Sequence, residues 1–488
     1  MPLPFTDMPA NLRIPGVYIE FDNSLAAQAA QEFKVLVVGQ RLAAGTVAQG
    51  VPTRVTNEAQ ADKYFGRGSM LAEMLRAMKA KDRFMETWAI ALDDNATGAA
   101  AAGSVTFGGT PTAAGTLNAY IAGKRVQTAI SASQASTAIA TAFAAAVNAD
   151  TSLPITAAVD GTNLRKVNLT ARHKGESGNG IDIRLNYYGE ATPNGMTVTI
   201  VAMAGGTGNP DVNTAIAGFG DEWWNWIVMP YTDTANMVAL EAELTLRWGP
   251  TRQKGARAFA AYRGAHSATA TFGNGRNSPH VTCMGTNIAP QPPYIWAAVN
   301  AIAAANPLAL DPARGLNTIE LTGLMPPAVA DRWDDDERNL LLWDGISTYK
   351  VTSDGRCLIE LQITMYQLNA SGLSDVSYLF INRPETLERI RFEQRARVAG
   401  RFPRHKLSGD ANARFGAGQP IVTDTVIKGE LLALYQDFIT KGWCDDLAGY
   451  KASLITEIDT ANGRINWKDE PRLIGPANVF AGLAQFRI

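Results

Sequence analysis

FKVLVVG, residues 33–39, is an apolar run of strand length that stops at a glycine. Downstream, in SMLAEMLRAMKA (69–80), Met70, Leu71, Met74, Leu75 and Met78 recur at i, i+1, i+4, i+5 and i+8. That spacing predicts a helix with one broad apolar face, capped by Ser69. ETWAIALDD (86–94) follows as a second strand. Strand, helix and strand make a βαβ unit and point to α/β architecture.

The pattern breaks after Trp88. No tryptophan occurs before Trp223, and Ala, Gly and Thr dominate. TLNAYIAGKRVQTAI (116–130) predicts a hairpin turning at Ala122-Gly123, and STAIATAFAAAVNAD (136–150) predicts a helix striped by Ile139, Phe143 and Val147. Segments 164–173, 180–188 and 195–206 predict strands by alternation and β-branching. We expect an inserted α+β domain at 98–215. The α/β pattern resumes at DEWWNWIVMPY (221–231), where Trp223, Trp224 and Trp226 crowd together. Both faces of that strand are apolar and no basic groove surrounds it, which favours core packing over a stacking platform. A helix at 234–248 and strands at 257–262 and 279–284 come next. Then follow an Ala-rich helix at 294–306 stopped by Asn306-Pro307 and hairpin-like strands in 341–366 around Asp354-Gly355. A strand leads into a helix starting at Pro384. The last elements are a helix carrying Val426, Ile427, Leu431, Leu434, Tyr435 and Phe438, and a hairpin turning at Asn462-Gly463.

The chain has 488 residues, a net charge of −2 and a pI near 6.2, so nothing global calls for nucleic acid or an anionic membrane. The N-terminus lacks a basic and an apolar region of the kind that makes a signal peptide, and no run of about 18 apolar residues suits a membrane span. Cys283, Cys357 and Cys444 are far apart, which predicts buried thiols and neither disulfide nor zinc site. His173, His266, His280 and His405 show no metal-ligand spacing. GESGNG (175–180) fails the G-x-S-x-G pattern, and VVGQRLAAG after the first strand is not G-x-G-x-x-G. The acids of DRWDDDER (331–338) lack EF-hand spacing and read as a salt-bridged helical face beside Arg332 and Arg338. We expect no cofactor, no metal and no catalytic residue. Between Arg383 and Arg414 nine basic residues face four acids. This is either a solubilising surface or a docking face for an acidic partner.

Near the start, IPGVYIEFDN (14–23) alternates: Val17, Ile19 and Phe21 on one side, Tyr18, Glu20 and Asp22 on the other. The tail NVFAGLAQFRI (478–488) is apolar and also reads as strand-like. Each end would need a sheet to join.

The order of RIPGVYIEF, YFGRGSMLAEMLRAM, EWWNWIVMPYTD, GLNTIELTGL (315–324), ERNLLLWDGIST (337–348) and YLFINRPETLERIR (378–391) resembles the tail sheath proteins of contractile phages, especially the Mu-like group. The block from TAFAAAVNAD to GGTGNPD is similar to the protruding domain of that group. The resemblance implies an N-terminal arm (1–24), an α/β core (25–97 and 216–370) and a protruding domain (98–215). It further implies a C-terminal sheath domain (371–475) and a C-terminal arm (476–488). Strands of the arms, Val17, Tyr18, Ile19, Glu20 and Phe21 at one end and Phe480, Leu483, Phe486 and Ile488 at the other, would pair with neighbouring subunits. Arg391, Arg395 and Lys428 would face an inner tail tube. The implied partners are other sheath subunits, the tube, and baseplate and terminator proteins, with no direct nucleic acid contact and no membrane insertion. The implied place is the virion tail, assembled in the host cytoplasm. An α/β hydrolase with an inserted lid, or the sheath of a phage-like bacteriocin, is the alternative.

Overall fold

The structure is a computed structural model, described here for residues 31–410, 413–416 and 418–487. The fold is mixed α/β with several sheets. The chain divides into two compact units. Of the described residues, the larger comprises 33–388 with 475–487, and the smaller comprises those of 389–474 with Gln31 and Glu32.

FKVLVVG forms the strand Lys34–Gln40 at the centre of a six-stranded sheet, and Val35 to Val38 are fully buried. It pairs in parallel with Glu86–Leu92 on one side and Trp226–Val228 on the other. Arg257–Tyr262 and Val281–Gly285 extend the sheet in parallel, and the short Thr53–Val55 closes the far edge in antiparallel sense. Numbered along the chain, the five parallel strands lie in the order 2-1-3-4-5, that of an open doubly wound sheet. The helix Met70–Lys81 starts where expected, with Ser69 Oγ accepting from Ala72 N at 3.1 Å.

The tryptophans are core, though the strand that carries them is only Trp226–Val228. Trp224 and Trp226 are buried; Trp224 packs on Trp88 at 5.7 Å, and Phe33 stacks on Trp226 at 5.5 Å. The Ala-rich helix does not stop at Asn306-Pro307: it runs Pro293–Leu310 with Pro307 inside. Proline removes one donor, but Leu308 is buried and Asp311 N donates to Pro307 O, so the last turn is still held at both ends. Among the acids of 331–338, Asp334 and Glu337 form a capping box for the helix Asp335–Trp343, and Arg338 pairs with Asp335 and Glu360. That helix takes up the start of the expected 341–366 strands, leaving Thr348–Val351 paired with Cys357–Leu361.

Residues 100–204 build two sheets around their own apolar cluster, which includes Phe107, Leu117, Ile139, Phe143, Val147 and Leu169. One sheet is antiparallel, ordered Met196–Ala204, Ala100–Gly109, Lys166–Lys174, Ile155–Val159. The other joins the hairpin Gly115–Ile121 and Lys124–Ile130, turning at Ala122-Gly123, to Ile183–Leu185. The expected strand at 180–188 shrinks to those three residues because Asn186 adopts a left-handed φ of 54°. Two strands carry no sequence signal. Ala100–Gly109 opens with small residues because the sheet is tight there: a Cβ on Gly103 would meet Val201 O at 2.8 Å. Ile155–Val159 is an edge whose open side is closed by Asn148. That amide donates to Ala157 O at 2.7 Å and accepts from Ala157 N at 3.0 Å.

The expected strand before Pro384 reduces to a single bridge, Ile363 to Phe380, and the helix begins earlier, at Asn382. Asn382 is buried and donates to the carbonyls of Pro312 and Arg314, which fixes the first turn. The boundary between the two units falls within this helix, Asn382–Arg401. In the smaller unit the helix Asp424–Thr440 buries Ile427, Leu431, Leu434, Tyr435 and Phe438, while Val426 is exposed. Tyr435 stacks on Tyr450 at 3.6 Å. The hairpin Ile455–Asp459 with Arg464–Lys468 turns through Asn462-Gly463 as expected. In the single chain residues 474–487 form no strand.

Candidate assembly surfaces

In doubly wound sheets ligands bind where the strand order reverses, beyond the carboxyl ends of the strands. Here that position lies between Lys34–Gln40 and Trp226–Val228. Gln40, fully buried, donates to Asp94 Oδ1 at 2.8 Å and to Lys174 O at 2.7 Å. Asp94 also accepts from Lys174 N at 2.9 Å and lies 2.9 Å from His173 Nδ1. Burial pushes the Asp94 carboxyl up, but the bonds from His173, Lys174 and Gln40 outweigh it and hold the pKa below the usual range. His173 Nε2 accepts from Met70 N at 3.1 Å, so both ring nitrogens are engaged in joining the 98–215 block to the core helix. A cleft of about 270 Å³ remains alongside. Around it Asn179, Asn209 and Arg263 are already bonded to Gly206, Asp233 and Asp182.

His280 and His266 are also bonded internally. His280 Nδ1 lies 3.0 Å from the buried Arg257 guanidinium, and His266 Nε2 lies 3.0 Å from Glu337 O. Cys283, Cys357 and Cys444 are buried and unpaired with one another. Burial pushes the thiols of Cys357 and Cys444 up to about 12 and that of Cys283 higher still. Among the described residues no cluster of His, Cys, Asp or Glu is arranged to hold a metal, and no helix is long and apolar enough to cross a membrane.

The chain's unusual surfaces are apolar and exposed. Val479, Phe480, Leu483 and Phe486 are each 85–89 % exposed. This segment leaves the larger unit beside Asn317, whose amide donates to Asn478 Oδ1 at 3.2 Å. The other arm residues, Val17, Tyr18, Ile19, Glu20 and Phe21, and also Ile488, lie outside the described residues. A second exposed apolar stretch had no sequence signal: Leu340 and Trp343 share the outer side of the helix Asp335–Trp343.

Arg391 and Arg395 lie on the helix Asn382–Arg401. Arg391 is half-buried; Arg395 is exposed, with its guanidinium 5.9 Å from the Phe392 ring. Lys428 pairs with Asp424 one turn away at 3.1 Å. Much of the surrounding positive charge is used internally. Arg397 and Arg401 pair with Asp437 and Glu430 at 2.8 and 3.1 Å, and Lys441 with Glu393 at 3.2 Å. The signal for this was present in Glu430 and Asp437, seven residues apart on the facing helix.

The fold is thus a mixed α/β one with several sheets and an apolar segment standing in solvent. The chain belongs to the phage tail sheath family. The phage tail sheath protein central domain matches residues 205–365. Over 490 residues, all of this chain and all of the relative, it is 41 % identical to the Mu-like prophage FluMu tail sheath protein of Haemophilus influenzae. Among solved structures, it is similar to a sheath tail protein of Listeria innocua, with a TM-score of 0.50 at 11 % identity. The match covers 92 % of this chain and 94 % of that one. A sheath tail protein of Desulfitobacterium hafniense matches with a TM-score of 0.49 at 12 % identity, covering 94 % and 97 %. The family is structural, and this replaces the hydrolase alternative.

Proposed function

We propose that the chain is the repeating subunit of a contractile phage tail sheath, stacked in six-fold rings around an inner tube. Release at the baseplate lets the rings rearrange and drive the tube through the host envelope. The observation that carries this reading is the 41 % identity to a tail sheath protein along the full length of both chains. The free energy comes from the difference in subunit contacts between two assemblies, held back by a barrier, so no bond is broken and no cofactor is used.

In this reading residues 98–215 are the protruding domain, 25–97 and 216–370 the core, 371–475 the C-terminal sheath domain, and 1–24 and 476–488 the arms. The C-terminal arm, through Phe480, Leu483, Phe486 and Ile488, adds to a sheet of a neighbouring subunit, and Val17–Phe21 does the same from the other end. Four large apolar side chains in solvent support this, because such a segment is an aggregation hazard unless a partner covers it. Head-to-tail addition propagates, so it builds rings and a helix and does not stop at a dimer. Arg391, Arg395 and Lys428 face the tube, and baseplate and terminator proteins close the ends. Arg395, exposed on its helix, is the strongest of the three for that role.

Negative-stain electron microscopy of the chain expressed alone tests this. Ribbed hollow tubes are expected, and deletion of residues 476–488 should leave dispersed, folded subunits. A compact monomer at high concentration from the full-length chain would overturn the reading.

A further inference from the structure

Phe84 is 97 % exposed, yet the turn that carries it is tightly built. Asp82 ends the helix Met70–Lys81, and its Oδ1 accepts from Phe84 N at 2.8 Å and from Met85 N at 3.1 Å. Its Oδ2 accepts from Asn306 of the helix Pro293–Leu310. Lys79 Nζ, buried, donates to Met85 O at 2.9 Å. Leu310, one helical turn beyond Asn306, is also exposed at this end. A ring held in water on a fixed turn has little backbone freedom left to lose when a partner covers it. Aromatic anchors of this kind carry much of the energy of protein interfaces.

A surface of matching chemistry lies elsewhere on the same chain. The helix Asp335–Trp343 turns Asp336, Leu340 and Trp343 outward at i, i+4 and i+7, and Trp343 is 72 % exposed. The charges of the two surfaces are opposite. Lys81 and Arg83 flank the Phe84 turn, and Asp82 between them is already engaged by the bonds above. Residues 331–338 hold five acids against two arginines. Arg83 and Asp336 are exposed, and neither makes an ion pair among the described residues. The two surfaces also stand at opposite sides of the six-stranded sheet. Phe84 precedes Glu86–Leu92, next to the edge strand Thr53–Val55. Ser347, just past the helix Asp335–Trp343, bridges Met284 in the other edge strand, Val281–Gly285. Strands spaced about 4.8 Å apart put roughly 20 Å between them, so they cannot meet within one chain.

We infer that a second copy of this chain occupies each surface: Phe84 of one subunit packs on Leu340 and Trp343 of the next, with Arg83 against Asp336. Unlike surfaces on opposite sides of one sheet make a head-to-tail contact, which propagates. Charge sets its direction, since two acidic surfaces or two basic ones repel. The inference rests on the assembly proposed above and names a contact within it that is separate from the terminal arms.

Tube growth by the full chain, followed by light scattering and checked by electron microscopy, tests it. Arg83→Glu and Asp336→Lys should each slow growth about tenfold or more, and the two together should bring it back to within about twofold of wild type. Circular dichroism melts establish that the variants are folded. Cysteines give a second readout, because the three native thiols are buried. Tubes carrying both Arg83→Cys and Asp336→Cys, once oxidised, should give a ladder of disulfide-linked subunits, and tubes carrying either change alone should not. Tubes that grow normally with either charge reversed, or that give no ladder with both cysteines, overturn this contact and leave the assembly reading standing. A ladder from one cysteine alone would pair like with like and overturn the head-to-tail contact. A wild-type chain that forms no tubes overturns the assembly reading and this contact with it.

Discussion

Asp94 shows how a single residue ties the 98–215 block to the core. Its folded pKa is depressed, so the linkage sign is that of an acid. The stabilisation is complete above the ordinary aspartate pKa of about 3.9 and is lost as pH falls through the lower folded-state value. Asp94→Asn should therefore flatten the acid limb of the stability curve relative to wild type, read as melting temperature against pH from about 6 down to about 2. An unchanged limb would remove Asp94 from the acid response. The cysteines give a second test at this scale. Their thiols are buried and their pKa values pushed up, so thiolate is scarce at neutral and mildly alkaline pH. The native chain should react with a thiol-specific reagent far more slowly than the denatured chain. A fast-reacting native thiol would show that one of the three is open.

Elements are held by close approach and by closed edges. The helix His266–Asn274 sits so near the Asp344 carbonyl that a Cβ on Gly273 would fall 2.0 Å from that oxygen. Backbone cannot yield as a flexible side chain can, so Gly273→Ala should cost at least about 2 kcal/mol, visible as a lower denaturant midpoint. The edge strand Ile155–Val159 shows the second device. Asn148→Ala removes both bonds to Ala157 and should cost about 1–2 kcal/mol while raising aggregation on heating, followed by light scattering. The strand Met196–Ala204 at the other edge of that sheet carries no such plug and no charge.

At the scale of the whole molecule, the chain leaves an apolar segment in solvent. Reversing Arg391 and Arg395 together to Glu should leave the chain folded and able to form tubes alone, yet impair assembly on an inner tube. Co-expression with the tube protein and counting of sheathed tubes measures it. Unchanged sheathing would remove the basic face from the tube contact.

Local pattern and resemblance carried much of this protein. The buried run at Lys34–Gln40, the helix Met70–Lys81, the turn at Ala122-Gly123 and the helix Asp424–Thr440 were legible because periodicity, caps and turn residues are local. The family was legible in the collinear order of short stretches, each weak alone. Tertiary structure alone decided the 2-1-3-4-5 strand order and the meeting of Gln40, Asp94 and His173, which stand far apart in the chain. It also decided the strand at Ala100–Gly109, where a neighbour's closeness selects small residues over strand formers. The helix through Pro307 belongs with these. In each case the controlling partner lies elsewhere in the sequence or is another segment's packing, and no local pattern records it.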